Sequence, residues 1–148
     1  MGLVLALIAA CASAHPRPAD DRAAVERATQ HYASLLRGAP IDSVVAAYTE
    51  NGELIIPGIG SLTGRKAIHD FLAPLASAVT VASAEMSVDS ISINGAVAEA
   101  RGRYRQVAGP AGATPQEYRG GFDAVWARGT DGRWRISRLT MMPNARGQ

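Results

Sequence analysis

Few side chains in this 148-residue sequence combine a useful pKa with a placement that chemistry could exploit. The three histidines, His15, His31 and His69, are too scattered for a metal pair at one-turn helical spacing. The single cysteine, Cys11, leaves no disulfide and no thiolate cluster. No metal and no cofactor is therefore expected. No serine sits in a nucleophile elbow, and no phosphate-cradling loop is present. His69 is the titratable candidate for proton transfer, because an imidazole changes charge near neutrality; flanked by Asp70 and set between apolar positions, it is expected at a rim. Glu53 is a further acid, but its alternation with Leu54 and Ile56 points it to solvent. In Phe122-Asp123-Ala124-Val125-Trp126-Ala127, alternation puts the two aromatic residues on one face and Asp123 on the other. If the aromatic face looks inward, Asp123 meets arginines such as Arg103 or Arg105; the opposite register buries it. The outward salt bridge is favoured, since an unpaired buried carboxylate is costly.

These residues need elements to position them. Asp20 or Asp21 can cap a first helix running to about Arg37, with Gly38 as its stop. Val25, Ala28, Tyr32, Leu35 and Leu36 share one face of it, so Tyr32 is inside and His31 at the rim or in solvent. Pro40 suits the first turn of a short helix through Tyr48. Asn51-Gly52 then reads as a turn and Glu53–Ile56 as a strand closed by Pro57-Gly58. Gly58, Gly60 and Gly64 read as a loose connection. Thr63 caps a third helix with Ala67, Ile68, Phe71, Leu72 and Leu75 on its apolar face, ended or kinked by Pro74.

Beyond Val79 the period falls to two, and its phase slips between Val88 and Ile91, which calls for a bulge near Asp89-Ser90. Asn94-Gly95 is a hairpin turn. The returning strand sets Ala98, Ala100, Gly102 and Tyr104 against Glu99, Arg101, Arg103 and Arg105; helices should cover the small-residue face. A Gly/Pro/Ala loop, a strand from about Glu117, a turn at Asp131-Gly132 and a strand from Arg133 to Met141 complete the chain. Helices first and hairpins later give an α+β domain: three N-terminal helices on a curved antiparallel sheet.

Length and a 47% apolar composition allow one domain with a real core. A net charge of +2, spread along the chain, gives no nucleic-acid signature. Met1–Ala14 is uncharged and apolar from Gly2 to Ala10. Its Ala12-Ser13-Ala14 ending matches a secretory cleavage site, although no basic residue precedes it, as a start codon assigned too late would explain. Export to the periplasm or outside a bacterial cell is the expectation. Ile8-Ala9-Ala10-Cys11 also resembles a lipobox, which would tie the chain to a membrane through Cys11. The expected organisation is a signal segment at 1–14, a linker at 15–19, the domain at 20–143 and a disordered tail at 144–148.

The stretch from Pro40 to Pro57, followed by Gly64-Arg65-Lys66-Ala67-Ile68, resembles the SnoaL-like and ketosteroid-isomerase-like superfamily with the nuclear transport factor 2 fold. In that superfamily a short helix ends in an aromatic residue, a polar turn leads into a strand, and Gly-Arg-x-x-Ile opens the next helix. The resemblance runs in element order over most of Asp20–Met141, and it implies a cone-shaped cavity. Here Tyr32, Tyr48, Ile56, Met86, Tyr104 and Trp126 would line it around a small hydrophobic ligand. Ketosteroid isomerases combine a carboxylate base with an oxyanion hole of a tyrosine and a protonated aspartic acid. By resemblance those two fall on Tyr32 and Asp123, but the base position holds Ile56, which excludes that mechanism. Some relatives use a histidine–aspartate pair, which brings His69 into consideration. Three functions follow. One is acid/base transformation of isomerase, cyclase or lyase type by Tyr32, Asp123 and His69, and the second is noncatalytic binding. The third is dimerisation or partner docking through the arginine-bearing sheet face, with Glu99 meeting arginines of a second copy.

Overall fold

The computed structural model describes residues 17–144. The signal-like segment, Cys11, His15 and residues 145–148 lie outside the described residues. The first helix, α1 (Pro18–Leu35), begins inside the expected linker. Pro18 fits there because an N-terminal helical residue needs no donor, and Asp20 and Asp21 occupy the first turn, where negative charge complements the helix dipole. Gly38, at φ +114°, supplies the left-handed backbone beyond its end.

The second helix, α2 (Ile41–Ala46), stops before Tyr48, which opens β1 (Tyr48–Ile56). The chain is pulled into the sheet there: Ile136 donates its N–H to the Ala47 carbonyl at 2.8 Å. Asn51-Gly52 is consequently no turn but part of a bulge inside β1. A Cβ on Gly52 would lie 2.9 Å from the Ile136 carbonyl oxygen, so only glycine fits that approach. The Gly58–Gly64 connection contains a strand, β2 (Gly60–Thr63), which folds back on β1 with Leu54 opposite Leu62. The third helix, α3 (Arg65–Ala78), follows these two strands, so the helices are not all N-terminal to the sheet. Gly64, at φ +88°, stands at its N-cap in place of Thr63, with no side-chain cap. The helix also runs through Pro74 for one more turn; that turn is largely exposed, so the lost bond is local.

The remaining strands are β3 (Val79–Asn94), β4 (Val97–Pro110), β5 (Gln116–Arg128) and β6 (Trp134–Pro143). The sheet order is β2-β1-β6-β5-β4-β3. It is mixed: β1 runs parallel to β6, while the other neighbours are antiparallel. The β1–β6 register slips between Tyr48↔Ile136 and Glu53↔Arg138, five residues along one strand against two along the other. β3 carries the bulge predicted at Asp89-Ser90, between Val88 and Ser90, and a second between Val81 and Ser83. Gly95, at φ +59°, turns β3 into β4 as Asn94-Gly95 predicts.

The two sheet faces separate cleanly. Ala98, Ala100, Phe122, Ala124, Trp126, Ile136 and Leu139 are buried on the inner face, and α1 packs there, mainly along β3. Within the sheet the packing is close at β4: a Cβ on Gly102 would sit 2.0 Å from the Ser87 carbonyl oxygen of β3 and 2.8 Å from the Phe122 ring of β5. The outer face carries the arginines of β4 paired to carboxylates, including Arg103–Asp89 at 2.9 Å and Arg105–Glu117 at 2.6 Å.

Candidate functional site

Tyr32 projects from the buried face of α1 and Tyr48 from the first residue of β1. Their hydroxyl oxygens lie 2.7 Å apart, and the rings meet edge to face with centroids 5.7 Å apart and planes at 85°. Arg65, at the start of α3, fixes Tyr48 from behind: its Nε and Nη2 donate to the Tyr48 carbonyl at 3.0 and 2.7 Å. Burial pushes the Tyr32 hydroxyl up to about 12, against the smaller lowering effect of its bond to Tyr48. Tyr48 is raised well above the ordinary tyrosine value, first by burial, then by the charge and hydrogen bond of Tyr32. Both are therefore neutral near pH 7. A pair of hydroxyls spends one O–H on the other and keeps one donor for a third group.

The second polar feature of this interior is Trp126. Its Nε1 is buried and has no hydrogen-bond partner among the described residues. Trp126 and Tyr48 both stand opposite Ile136, on either side of β6. With strands spaced by under 5 Å, their backbones are about 10 Å apart. Three neutral polar groups, two hydroxyls and one indole N–H, are thus buried in this interior.

Of the other sequence-derived candidates, Met86, Ile56 and Tyr104 belong to or pack against the same apolar core as Tyr32, Tyr48 and Trp126, whereas Asp123, His69 and Glu53 lie elsewhere. Asp123 is on the outer face, its side chain 44% exposed and 3.3 Å from Arg101. The sheet therefore separates it from Tyr32, and its partner is Arg101 in place of Arg103 or Arg105. The register explains this, since Asp123 stands directly opposite Arg101. His69 is 39% exposed on α3, with Nδ1 3.4 Å from Asp70 and Nε2 3.8 Å from Asp42 on α2. Glu53 is half-buried, held by Ser61 and by Arg138 at 2.8 Å; these bonds, Ser61 first, lower its pKa. Met86 is buried and stands opposite half-buried Tyr104, whose hydroxyl burial raises in pKa. Ile56 is half-buried at the end of β1.

Two open cavities lie outside the tyrosine region. One, of about 590 Å³, is lined by Met86, Tyr104 and Gly120 together with Arg103, Arg105 and Arg119, and so includes two of the candidate ligand-binding residues. The other, of about 410 Å³, is a notch that includes Arg65, Arg128 and Arg135. Neither includes Tyr32, Tyr48 or Trp126. From sequence, Asp21 is only a helix cap and Arg65 only part of a helix opening, and their bonds to Arg128 and to the Tyr48 carbonyl are seen first in the structure. For Asp21 a signal existed, because it lies four residues before Val25 and so on the buried face. It is 7% exposed and bonded to Arg128 at 2.6 Å.

A family model described as a SnoaL-like domain matches residues 17–140. The chain belongs to the SnoaL-like domain family. No functionally curated protein matches it by sequence. Solved structures agree on the fold. A ketosteroid isomerase-like protein from Erwinia carotovora atroseptica is 18% identical with a TM-score of 0.73, the match covering 83% of this chain and 95% of that one. An NTF2-like protein with a cystatin-like fold from Novosphingobium aromaticivorans is 18% identical at a TM-score of 0.69, covering 87% and 85%. A protein from the same species provisionally named a scytalone dehydratase is 17% identical at 0.71, covering 84% and 85%. At these identities the likeness is one of fold, and function has to be argued from the site.

Proposed function

We propose that this SnoaL-like domain binds a small, mostly apolar molecule bearing a hydrogen-bond acceptor, in a cone-shaped space between α1 and the sheet that narrows to Tyr32 and Tyr48. The observation that carries this is the Trp126 indole N–H, buried without a partner. Leaving such a donor unsatisfied costs about 1–3 kcal/mol, a penalty that an acceptor atom of a ligand removes. The spare O–H of the tyrosine pair supplies a second contact to a carbonyl or hydroxyl oxygen. Binding and polarisation are favoured over proton abstraction, because Ile56 stands at the base position and Asp123 and His69 lie outside this space. Any turnover of isomerase or lyase type would rest on Tyr32 and Tyr48 holding an oxyanion while water moves the proton. Action after export belongs to the same proposal, supported by the apolar run before Ala12-Ser13-Ala14.

Native mass spectrometry of protein from an exporting host, read beside its denatured mass, tests binding and processing together. A mass starting after Ala14 and a non-covalent adduct are expected. Thermal shift with cyclohexanone and 2-naphthol complements it: the Tyr32→Phe, Tyr48→Phe double variant, which removes the spare O–H, should weaken binding about tenfold, the worth of one good hydrogen bond. An empty protein whose melting no such ligand moves would end this proposal.

A second proposal, a homodimer through the outer sheet face, is supported by Val97 and Met142, 44% and 40% exposed there. The arginines of that face are already paired within the protomer, so association would rest on apolar contact and not on Glu99. Sedimentation should show a dimer that Val97→Asp with Met142→Asp dissociates; a monomer at high concentration would count against it.

A further inference from the structure

The notch of about 410 Å³ gathers three guanidinium groups from three separate elements. Arg65 comes from the first turn of α3, Arg128 from the end of β5 and Arg135 from β6, with Thr49 and Glu50 of the β1 bulge on the rim. Gly129 leaves room beside the Asp131–Arg135 pair, since a Cβ there would lie 2.7 Å from Asp131 Oδ1 and 2.9 Å from Arg135 Nη1. Two of the three cations are neutralised. Arg128 bonds Asp21 through Nη1 at 2.6 Å and lies over the Trp134 ring at 5.3 Å. Arg135 bonds both oxygens of Asp131 at 3.1 and 2.7 Å.

Arg65 differs. Its Nε and Nη2 are spent on the Tyr48 carbonyl, which satisfies N–H groups but carries no charge, and Arg65 has no ion pair among the described residues. The side chain is part-buried, and a guanidinium withdrawn from water without a counterion is unfavourable. Among the described residues no hydrogen bond is made by Arg65 Nη1 or by Arg128 Nε and Nη2. Glu50 is exposed and paired with none of the three. The three cations are held in place by Asp21, Asp131 and a backbone carbonyl, so a ligand need not order them. Guanidinium groups suit carboxylate and phosphate oxygens, which accept paired N–H bonds. The volume falls at the lower end of ordinary ligand sites, about 300–1,000 Å³, and so accommodates a body behind a charged head.

We propose that this notch binds a small organic anion, with its carboxylate or phosphate head on Arg65 and its body over Gly129. The proposal does not depend on the interior site. It is tested by titrating the full protein with benzoate and with phenyl phosphate at fixed ionic strength, with chloride as the reference salt. Calorimetry and the Arg Nε–H signals in nuclear magnetic resonance give the readout. Saturable binding that moves the Arg65 signal is expected with at least one probe, and the probe that binds identifies the head. Arg65→Gln should weaken binding at least about tenfold, the loss expected of a charge-assisted contact. Glu50→Gln should tighten binding by removing a carboxylate from the rim, and Arg101→Gln, on the outer face, should leave it unchanged. Because Arg65 also holds Tyr48, its variant is first checked for folding; should it fail to fold, the Glu50→Gln comparison decides. Signals that follow ionic strength alone, equal binding by folded Arg65→Gln, or no tightening in Glu50→Gln would overturn the proposal.

Discussion

The two faces of one sheet solve the same problem in opposite ways. On the outer face, Arg101, Arg103, Arg105, Arg119 and Arg138 each meet a carboxylate in water. On the inner face, the buried polar groups are the Asp21–Arg128 pair, two tyrosine hydroxyls, one indole N–H and the Thr29 hydroxyl, which donates to the Val25 carbonyl. Water makes an unpaired charge cheap outside, so an unpaired Glu99 needs no explanation. Inside, the same water is missing, and a single unsatisfied N–H becomes informative. Function is therefore better sought where polar groups are few than where they are many.

The largest contrast should come from two glycines. Gly102→Val forces atoms against the Ser87 carbonyl and the Phe122 ring and should cost about 3 kcal/mol or more in denaturant unfolding. Gly121→Ala, whose added carbon would have 3.4 Å to its nearest neighbour, should be nearly silent. If the two matched, the inner face would not be tightly packed. Next is Asp21→Ala, which strands Arg128 in a mostly buried setting and should cost about 2 kcal/mol, below the about 3–5 kcal/mol of a fully buried pair because some water reaches it. Smaller again, Tyr32→Phe and Tyr48→Phe should each cost about 1 kcal/mol, and the double variant less than their sum, since one bond is lost once.

Alkaline pH probes the same pair. An unfolded tyrosine ionises near 10.0, whereas Tyr32 in the fold does so only at about 12. The stability it contributes is complete below the first value and is lost as pH climbs through the second. Melting temperature should fall across that window, together with the appearance of tyrosinate absorbance from the buried rings; in Tyr32→Phe the drop should shrink. The smallest effect belongs outside: Arg103→Gln should barely move the melting curve, and added salt should erase what remains.

Local chemistry made much of the fold legible in advance. The α1 face, the slip of phase at Asp89-Ser90, the Asn94-Gly95 hairpin and the small-residue side of β4 all follow from patterns within a few residues. What escaped depended on distant partners. The parallel pairing of β1 with β6 joins Glu53 to Arg138, and nothing near Glu53 announces it. Tyr48 looked like a helix end because the preceding apolar spacing is helical, yet tertiary hydrogen bonds from Ile136 and Arg65 make it a strand residue. The glycines around β2 masked a strand whose partner, not its propensity, forms it. The candidate site divided likewise. Tyr32 was placed inside by periodicity alone, whereas its bond to Tyr48 and the isolation of Trp126 Nε1 required coordinates.

The two bulges of β3 matter beyond phasing. β3 is one edge of the sheet and sixteen residues long, a length at which a straight strand would recruit copies of itself into fibrils. Breaks at Val81/Ser83 and Val88/Ser90 interrupt the regular ladder, and bulges of this kind twist an edge away from pairing with another chain. The irregularity that aligns Ile91 and Ile93 with the core thus also works against edge-to-edge association.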